Sequence, residues 1–161
     1  TNRSQMPRRA DAPVRLHLPA AGRERQIIEA AALAGIAWNI FGIVQFVGSV
    51  RATPESLMAS GLTPEQAQVM TGYPLWMTAA FAIGVFGGAI GSGLLLLRHA
   101  LARAVLGLSL AAYVALWAGD AIHGVFAAMG LPQILILSTV VAIAAGLFWL
   151  SLRPATLHRA A

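Results

Sequence analysis

The chain has 161 residues, of which 58% are hydrophobic and only 11% are charged, and it contains no cysteine. Soluble domains carry about 25% charged residues, so this composition indicates that lipid is the solvent for most of the chain. Disulfides, thiolate metal sites and cysteine nucleophiles are excluded. The net charge of +5 does not predict nucleic-acid binding, because the Arg residues that produce it flank the apolar segments described below.

Residues 1–25 form a polar, Pro-rich segment with six Arg against two acidic residues. Such a composition predicts disorder in isolation, and no small-residue cleavage site follows the first apolar run, so a signal peptide is not expected. The segment should instead contact anionic lipid or a partner protein. Its basic residues are Arg3, Arg8, Arg9, Arg15, Arg23 and Arg25.

Four apolar segments follow, each near the roughly 20 residues that cross about 30 Å of hydrocarbon. They cover about residues 30–50, 74–97, 104–128 and 132–152, and a short segment, 154–161, ends the chain. None alternates as a barrel strand does, so the spans must be helical. The sequence predicts an all-α integral membrane four-helix bundle over residues 26–153.

The placement of Arg predicts the orientation of this bundle. Ten of the eleven Arg residues lie before the first span, between the second and third spans, or after the fourth, and only Arg51 lies on the opposite side. Positively charged loops stay in the cytoplasm. We therefore expect a multi-pass membrane protein with both termini cytoplasmic.

The loop from Arg51 to Pro74 carries two helix-start signals. Thr63 as N-cap, Pro64 at the first position and Gln66 three residues after Thr63 form a capping box, and 53–55 repeats the start of that pattern. We expect two short helices at the outer surface.

Glycines at four-residue spacing mark the second span, where Gly84 and Gly88 form one pair and Gly87 and Gly91 form another. Helices in lipid associate through such small residues, which allow close backbone approach. These four glycines are predicted to pack within the bundle, with a neighbouring protein as the alternative.

Asp120 and His123 raise a different question, because ionisable groups are rare in spans. Counted along the predicted helix from Ala104, they lie about 24 Å and 28 Å from the inner face, near the outer boundary. Three readings stay open. The pair is a polar clamp between the third span and the surface helices, or a proton or ligand site, or His123 alone is an axial ligand to a tetrapyrrole.

Asn39 lies close to the midplane, where a lone amide usually makes an interhelical hydrogen bond. Ser92 and His123 differ by nearly 20 Å in depth, by about 1.5 Å per residue, which excludes a serine protease pair. His99 and His123 lie on opposite sides, so bis-His haem and a metal cluster are excluded too. We expect no enzymatic activity, no metal and no cofactor.

The patterns "AWNIFG", "MASGLTPEQAQ", "YPLW" and "GGAIGSGLLLLRHALA" resemble a family of small four-span inner-membrane proteins of proteobacteria. That family has no established mechanism, and its members are often labelled sugar transporters automatically. The resemblance covers roughly residues 35–110 and implies the topology and the location. Family members commonly carry a second basic residue where this chain has His99.

Two functions remain open. The first is a non-catalytic accessory subunit of a larger photosynthetic or respiratory complex, which docks through the basic segment and the glycine faces. Its partners would be membrane lipids and other subunits, with neither nucleic acid nor a small-molecule substrate. The second is a small solute transporter that acts as a homo-oligomer, although carriers usually show internal repeats and broken helices, which this sequence lacks.

Overall fold

The computed structural model describes residues 18–154, with side chains from residue 22 onward. Helix α1, Leu18–Arg51, has 34 residues and is therefore about 50 Å long, longer than a membrane crossing requires. The helix begins inside the segment 1–25 that the sequence describes as a basic tail.

Both short helices expected in the first loop are present, α2 at Pro54–Ala59 and α3 at Pro64–Thr71. Each begins with Pro and has a threonine N-cap whose hydroxyl accepts from a backbone N–H three residues on. Gln66 completes the box of α3 as predicted, and Ser56 completes that of α2. Both helices satisfy their first N–H groups locally.

Helices α4, Leu75–Leu96, and α5, Ala102–Ile122, form an antiparallel hairpin. The turn depends on Arg98, whose φ of 57° is left-handed and rare for a side chain that is not glycine. The N–H of His99 bonds to the carbonyl of Leu94, which closes the end of α4 as in a Schellman motif.

The third span ends earlier than the predicted residue 128. Helix α5 stops at Ile122, and a five-residue helix, α6, Val125–Met129, connects it to α7, Leu131–Ser151. Gly124 and Gly130 flank α6 with φ values of 76° and 73°, which glycine adopts without a steric penalty. The segment predicted as the last turns of a span is instead a surface connection.

The two central helices are α4 and α5, with α1 packed mainly on α4 and α7 mainly on α5. Near one end, a cluster of buried residues joins all four long helices: Ile28, Ala32, Leu95, Ala102, Leu106 and Leu147. We call this the arginine end, since Arg98 and Arg153 lie there; the opposite end, with α2, α3 and α6, is the loop end. The buried cluster at the loop end consists of residues of α4, α5 and α7, namely Met77, Ala80, Leu116 and Leu137, with Tyr73 and Phe126 packed against it.

All four long helices are long and apolar enough to cross a membrane. No residue from 18 to 154 lies in a β-strand. The predicted all-α four-helix membrane bundle is confirmed.

Candidate functional site

Asp120 lies in the last turn of α5 at the loop end, with 1% of its surface exposed. Two neutral donors hold its carboxylate. The Tyr73 hydroxyl donates to Oδ1 and the Gln133 amide donates to Oδ2, each at 3.0 Å. No ion pair among residues 18–154 involves Asp120. A buried carboxylate with bonded oxygens but without a cation is costly to place, so this cluster is the first candidate for a functional site.

The cluster connects three parts of the fold. Tyr73 belongs to the linker between α3 and α4, Asp120 to α5, and Gln133 to the first turn of α7. Burial, and then the nearby Asp120 carboxylate, raise the pKa of Tyr73. Tyr73 therefore stays a neutral donor, and the cluster fastens the loop end to two spans. The arrangement is a polar clamp made by Asp120, in which the linker between α3 and α4 and the first turn of α7 supply the partners rather than the surface helices.

His123 does not join the cluster. It is the C-cap of α5, it is exposed, and its ring packs beside Trp76 with the centroids 5.9 Å apart. The sequence places Asp120 and His123 on one helical face. The structure differs, because α5 ends one residue before His123. The two side chains therefore form no pair, and the Trp76 indole is the neighbour of the imidazole.

A cleft of about 250 Å³ opens beside His123 at the loop end. The end of α3, the linker and the turn after α5 line it, and its polar side chains are Gln68, Tyr73 and His123. Gln66 keeps the walls together, since its amide donates to the carbonyl of Ala128 on α6 at 3.1 Å. The cleft lies at the surface of the bundle.

The middle of the bundle holds a second polar group. Asn39, 2% exposed, donates to the carbonyl of Gly35 at 2.8 Å and accepts from the Tyr113 hydroxyl at 3.2 Å. One turn away, the Ser109 hydroxyl donates to the carbonyl of Gly84 at 2.7 Å. Asn39 and Tyr113 thus make the interhelical bond that the sequence predicts for a midplane amide. The space beside them is about 10 Å³, which holds at most one water molecule.

The four glycines of α4 lie where neighbouring helices come closest. A Cβ at Gly84 would lie 2.6 Å from the Tyr113 ring, one at Gly87 3.3 Å from Ser109, and one at Gly91 2.7 Å from Leu106. A Cβ at Gly88 would overlap the Asn39 amide. These contacts are with α1 and α5 of the same chain, so the glycine faces are occupied inside the bundle.

Acidic and basic side chains meet at the arginine end. Glu29 of α1 lies 2.7 Å from Arg25 and 3.8 Å from Arg98, and Glu24 lies 3.6 Å from Arg153. These contacts join the start of α1 to the turn after α4 and to the end of α7. Arg23 is exposed. The other basic residues predicted to contact lipid or partners lie outside the described residues: Arg3, Arg8, Arg9 and Arg15.

Sequence reasoning did not identify Tyr73, Gln133 or Tyr113 as partners of the buried polar groups. The sequence does carry a signal for Gln133. The connection between the third and fourth spans is short, so the first turn of the fourth span, which holds Gln133, must lie at the same depth as the end of the third span, which holds Asp120. Tyr113 carries no such signal, since an aromatic residue in an apolar run reads as core. Only the structure shows that the Tyr113 hydroxyl lies within hydrogen-bond distance of Asn39.

Comparison with models of protein families, with curated proteins and with solved structures finds no match for this chain. The resemblance of residues 35–110 to the four-span family therefore stays a prediction, and the chemistry of the site has to be argued from its own geometry.

Proposed function

We propose that this chain is a non-catalytic accessory subunit of a larger bacterial inner-membrane complex, photosynthetic or respiratory. The observation that carries the proposal is the filled interior. Among the described residues, the space beside Asn39 is about 10 Å³; the Tyr113 hydroxyl donates to Asn39 there, and the Ser109 hydroxyl donates to the carbonyl of Gly84. A bundle of this kind supplies surfaces rather than a reaction chamber or a path.

The loop end supports the same proposal. Helices α3 and α6 are joined by the bond from Gln66 to Ala128, and the Asp120 cluster fixes the linker behind them. Rigid surface helices form a preorganised docking surface, and preorganisation lowers the entropy that association costs. Asp120 then has a positioning role, because it holds this surface without touching a ligand.

The arginine end offers the second docking surface. Arg23 is exposed beside the start of α1, and four further Arg residues precede it in the sequence within residues 1–17. With the arginine end in the cytoplasm, as Arg placement favours, these residues would meet anionic headgroups or an acidic subunit surface. Each Lys or Arg near an anionic membrane contributes about 1 kcal/mol to the binding free energy.

The alternative, a small solute transporter acting as a homo-oligomer, would need a site near the bilayer midplane. The position that such a site would take is occupied by the packed Asn39 and Tyr113 side chains. The cleft beside His123 is lined by loop-end residues only, so it is a surface cleft and does not lead into the middle of the bundle. Asp120→Asn in proteoliposomes tests this alternative: unchanged solute flux leaves no role for the cluster in transport.

Purification from the native membrane in a mild detergent tests the subunit proposal. A full-length chain with a C-terminal tag should elute with other membrane proteins in a complex well above its own mass of 16.8 kDa plus detergent. Replacing the four Arg residues of 1–17 by Gln should lower the recovery of those proteins, while removal of the charge at Arg51 should not. Recovery of this chain alone, in the presence of native lipid, would contradict the proposal.

A further inference from the structure

Gln45 presents an unusual group to the lipid. It lies on α1, it is exposed, and its amide makes no hydrogen bond to any described residue. Exposed hydroxyls elsewhere on the spans behave differently: Ser49 donates to the carbonyl of Phe46, and Thr139 donates to that of Leu135, both at 2.8 Å. The Gln45 amide, unlike the hydroxyls of Ser49 and Thr139, has both its N–H donor and its oxygen acceptor without a partner among the described residues.

The contacts between α1 and α4 fix the depth of Gln45. A Cβ at Gly35 would lie 2.6 Å from Ser92, and one at Gly42 would lie 2.9 Å from Val85. Continuing this antiparallel register places Gln45 level with Ala82. Ala82 is seven residues into α4 and thus about 10 Å from its loop end. Taking the first residue of α4 as the start of the hydrocarbon, the amide lies deeper than its own side chain can reach back toward the headgroups.

An unpaired amide at that depth is unfavourable. Moving such a group from water into a medium without hydrogen-bond partners is costly, and lipid tails offer no partner. Something with both a donor and an acceptor at the same depth is therefore expected to cover Gln45. Helix surfaces in membranes that carry such amides associate through them.

We infer that a second copy of this chain covers Gln45, in a parallel homodimer with α1 packed on α1. Two copies inserted in the same orientation can be related by a two-fold axis along the membrane normal. That symmetry brings each residue of α1 to the depth of its own counterpart. An amide is self-complementary, so Gln45 of one protomer can donate to and accept from Gln45 of its partner without any other group.

The surroundings of Gln45 fit such a contact. Phe41, Gln45 and Gly48 follow at spacings of four and three, the pattern of helices that pack side by side in a left-handed pair. All three are exposed, and a Cβ at Gly48 would meet nothing within 4 Å. Phe41, with 56% of its surface exposed, and the open backbone of Gly48 can then form a knob and a hole across the axis.

Charges on α1 do not oppose this arrangement. The part of α1 from Arg23 to Glu29 carries two Arg and two Glu, and the contacts of Glu24 and Glu29 with basic residues are already made. Parallel copies therefore balance their charges over this part of α1, whereas the like-charged Arg51 side chains lie at the last residue of the helix, beyond the contact formed by Phe41, Gln45 and Gly48. The dimer does not depend on the proposed role in a larger complex, since either can exist without the other.

Disulfide trapping tests this dimer directly, because the chain contains no cysteine. Gly48→Cys in full-length protein, oxidised in its native membrane, should yield a covalent dimer of this chain. Leu135→Cys is the matched control: Leu135 is 57% exposed on α7, also about four residues inside the loop end, and should give little dimer. Equal trapping at the two positions, or trapping of Gly48→Cys to a chain of different mass, would overturn the inference.

Gln45→Leu in the Gly48→Cys background isolates the amide. The substitution keeps an exposed side chain of similar size, so the fold should be unaffected, and the yield of trapped dimer at limiting protein density should fall. Interhelical hydrogen bonds in membranes are worth enough to shift an equilibrium roughly threefold to fifteenfold. An unchanged yield would refute the role of Gln45, and normal co-purification of other subunits with the same variant would separate this failure from the failure of the proposed function.

Discussion

The substitution Gly88→Ala provides the sharpest test of how the four helices are held together. An added Cβ would lie 2.5 Å from Asn39 Cγ and closer still to its Oδ1, where ordinary contacts are about 3.5–4 Å. The Asn39 amide has to move by about 1 Å to remove this overlap. That movement disturbs both of its hydrogen bonds, to Gly35 and to Tyr113.

The expected change in the free energy of unfolding combines two destabilising contributions and one smaller stabilising contribution. Overpacking of a closely fitted core costs about 1–3 kcal/mol, and a weakened interhelical bond costs about 0.6–1.7 kcal/mol. Ala in place of Gly in a helix returns about 0.5–1 kcal/mol. We expect Gly88→Ala to lower the free energy of unfolding by about 2–3 kcal/mol.

The control is Gly93→Ala in the same helix, where a Cβ would meet nothing within 4 Å. That variant should be as stable as the parent chain or slightly more stable. The assay is reversible unfolding in mixed micelles with rising SDS, followed by circular dichroism. Asn39→Ala combined with Gly88→Ala should cost clearly less than the two single variants added together, since the overlapping atoms are gone.

Equal stability of Gly88→Ala and Gly93→Ala would refute the reasoning, because it would mean that α1 and α4 do not approach each other at Asn39. Strict additivity in the double variant would refute the narrower claim that the amide is the obstacle.

Four further predictions concern other positions. Ser92→Ala should raise the free energy of unfolding by about 1 kcal/mol in the same assay, since the Ser92 hydroxyl is buried without a hydrogen-bond partner among the described residues. Tyr73→Phe should lower it by about 1–3 kcal/mol, because the buried Asp120 carboxylate loses a donor, and equal stability would refute the clamp. The raised pKa of Tyr73 means that the folded chain holds this proton more tightly than the unfolded chain does. The contribution of the protonated Tyr73 hydroxyl to the free energy of unfolding is therefore complete below pH ~10 and is lost as the pH rises further. The free energy of unfolding should be lower at pH 11 than at pH 8, and this difference should be smaller in Tyr73→Phe. Gly130→Ala should lower the SDS midpoint more than an alanine at Gly146, because Gly130 has a φ of 73° and Gly146 has space for a Cβ.

Much of the fold follows from local properties of the chain. Length and hydropathy predict the number of spans because each must satisfy its own backbone hydrogen bonds in lipid. The capping boxes at Thr53 and Thr63 are likewise complete within four residues, so the surface helices could be read from the sequence. Where a feature depends only on near neighbours along the chain, the sequence alone sufficed.

The polar contacts were decided by the tertiary structure. Asp120 is visible in the sequence as an unusual residue, but its donors Tyr73 and Gln133 lie 47 and 13 positions away and meet it only after α4, α5 and α7 pack. The end of α5 was also decided by the tertiary structure. Apolar residues continue to Ala128, so hydropathy cannot distinguish the last turns of a span from a surface turn. Periodicity states which face a side chain occupies, whereas the register between helices determines what that face touches, and register arises from packing over the whole bundle.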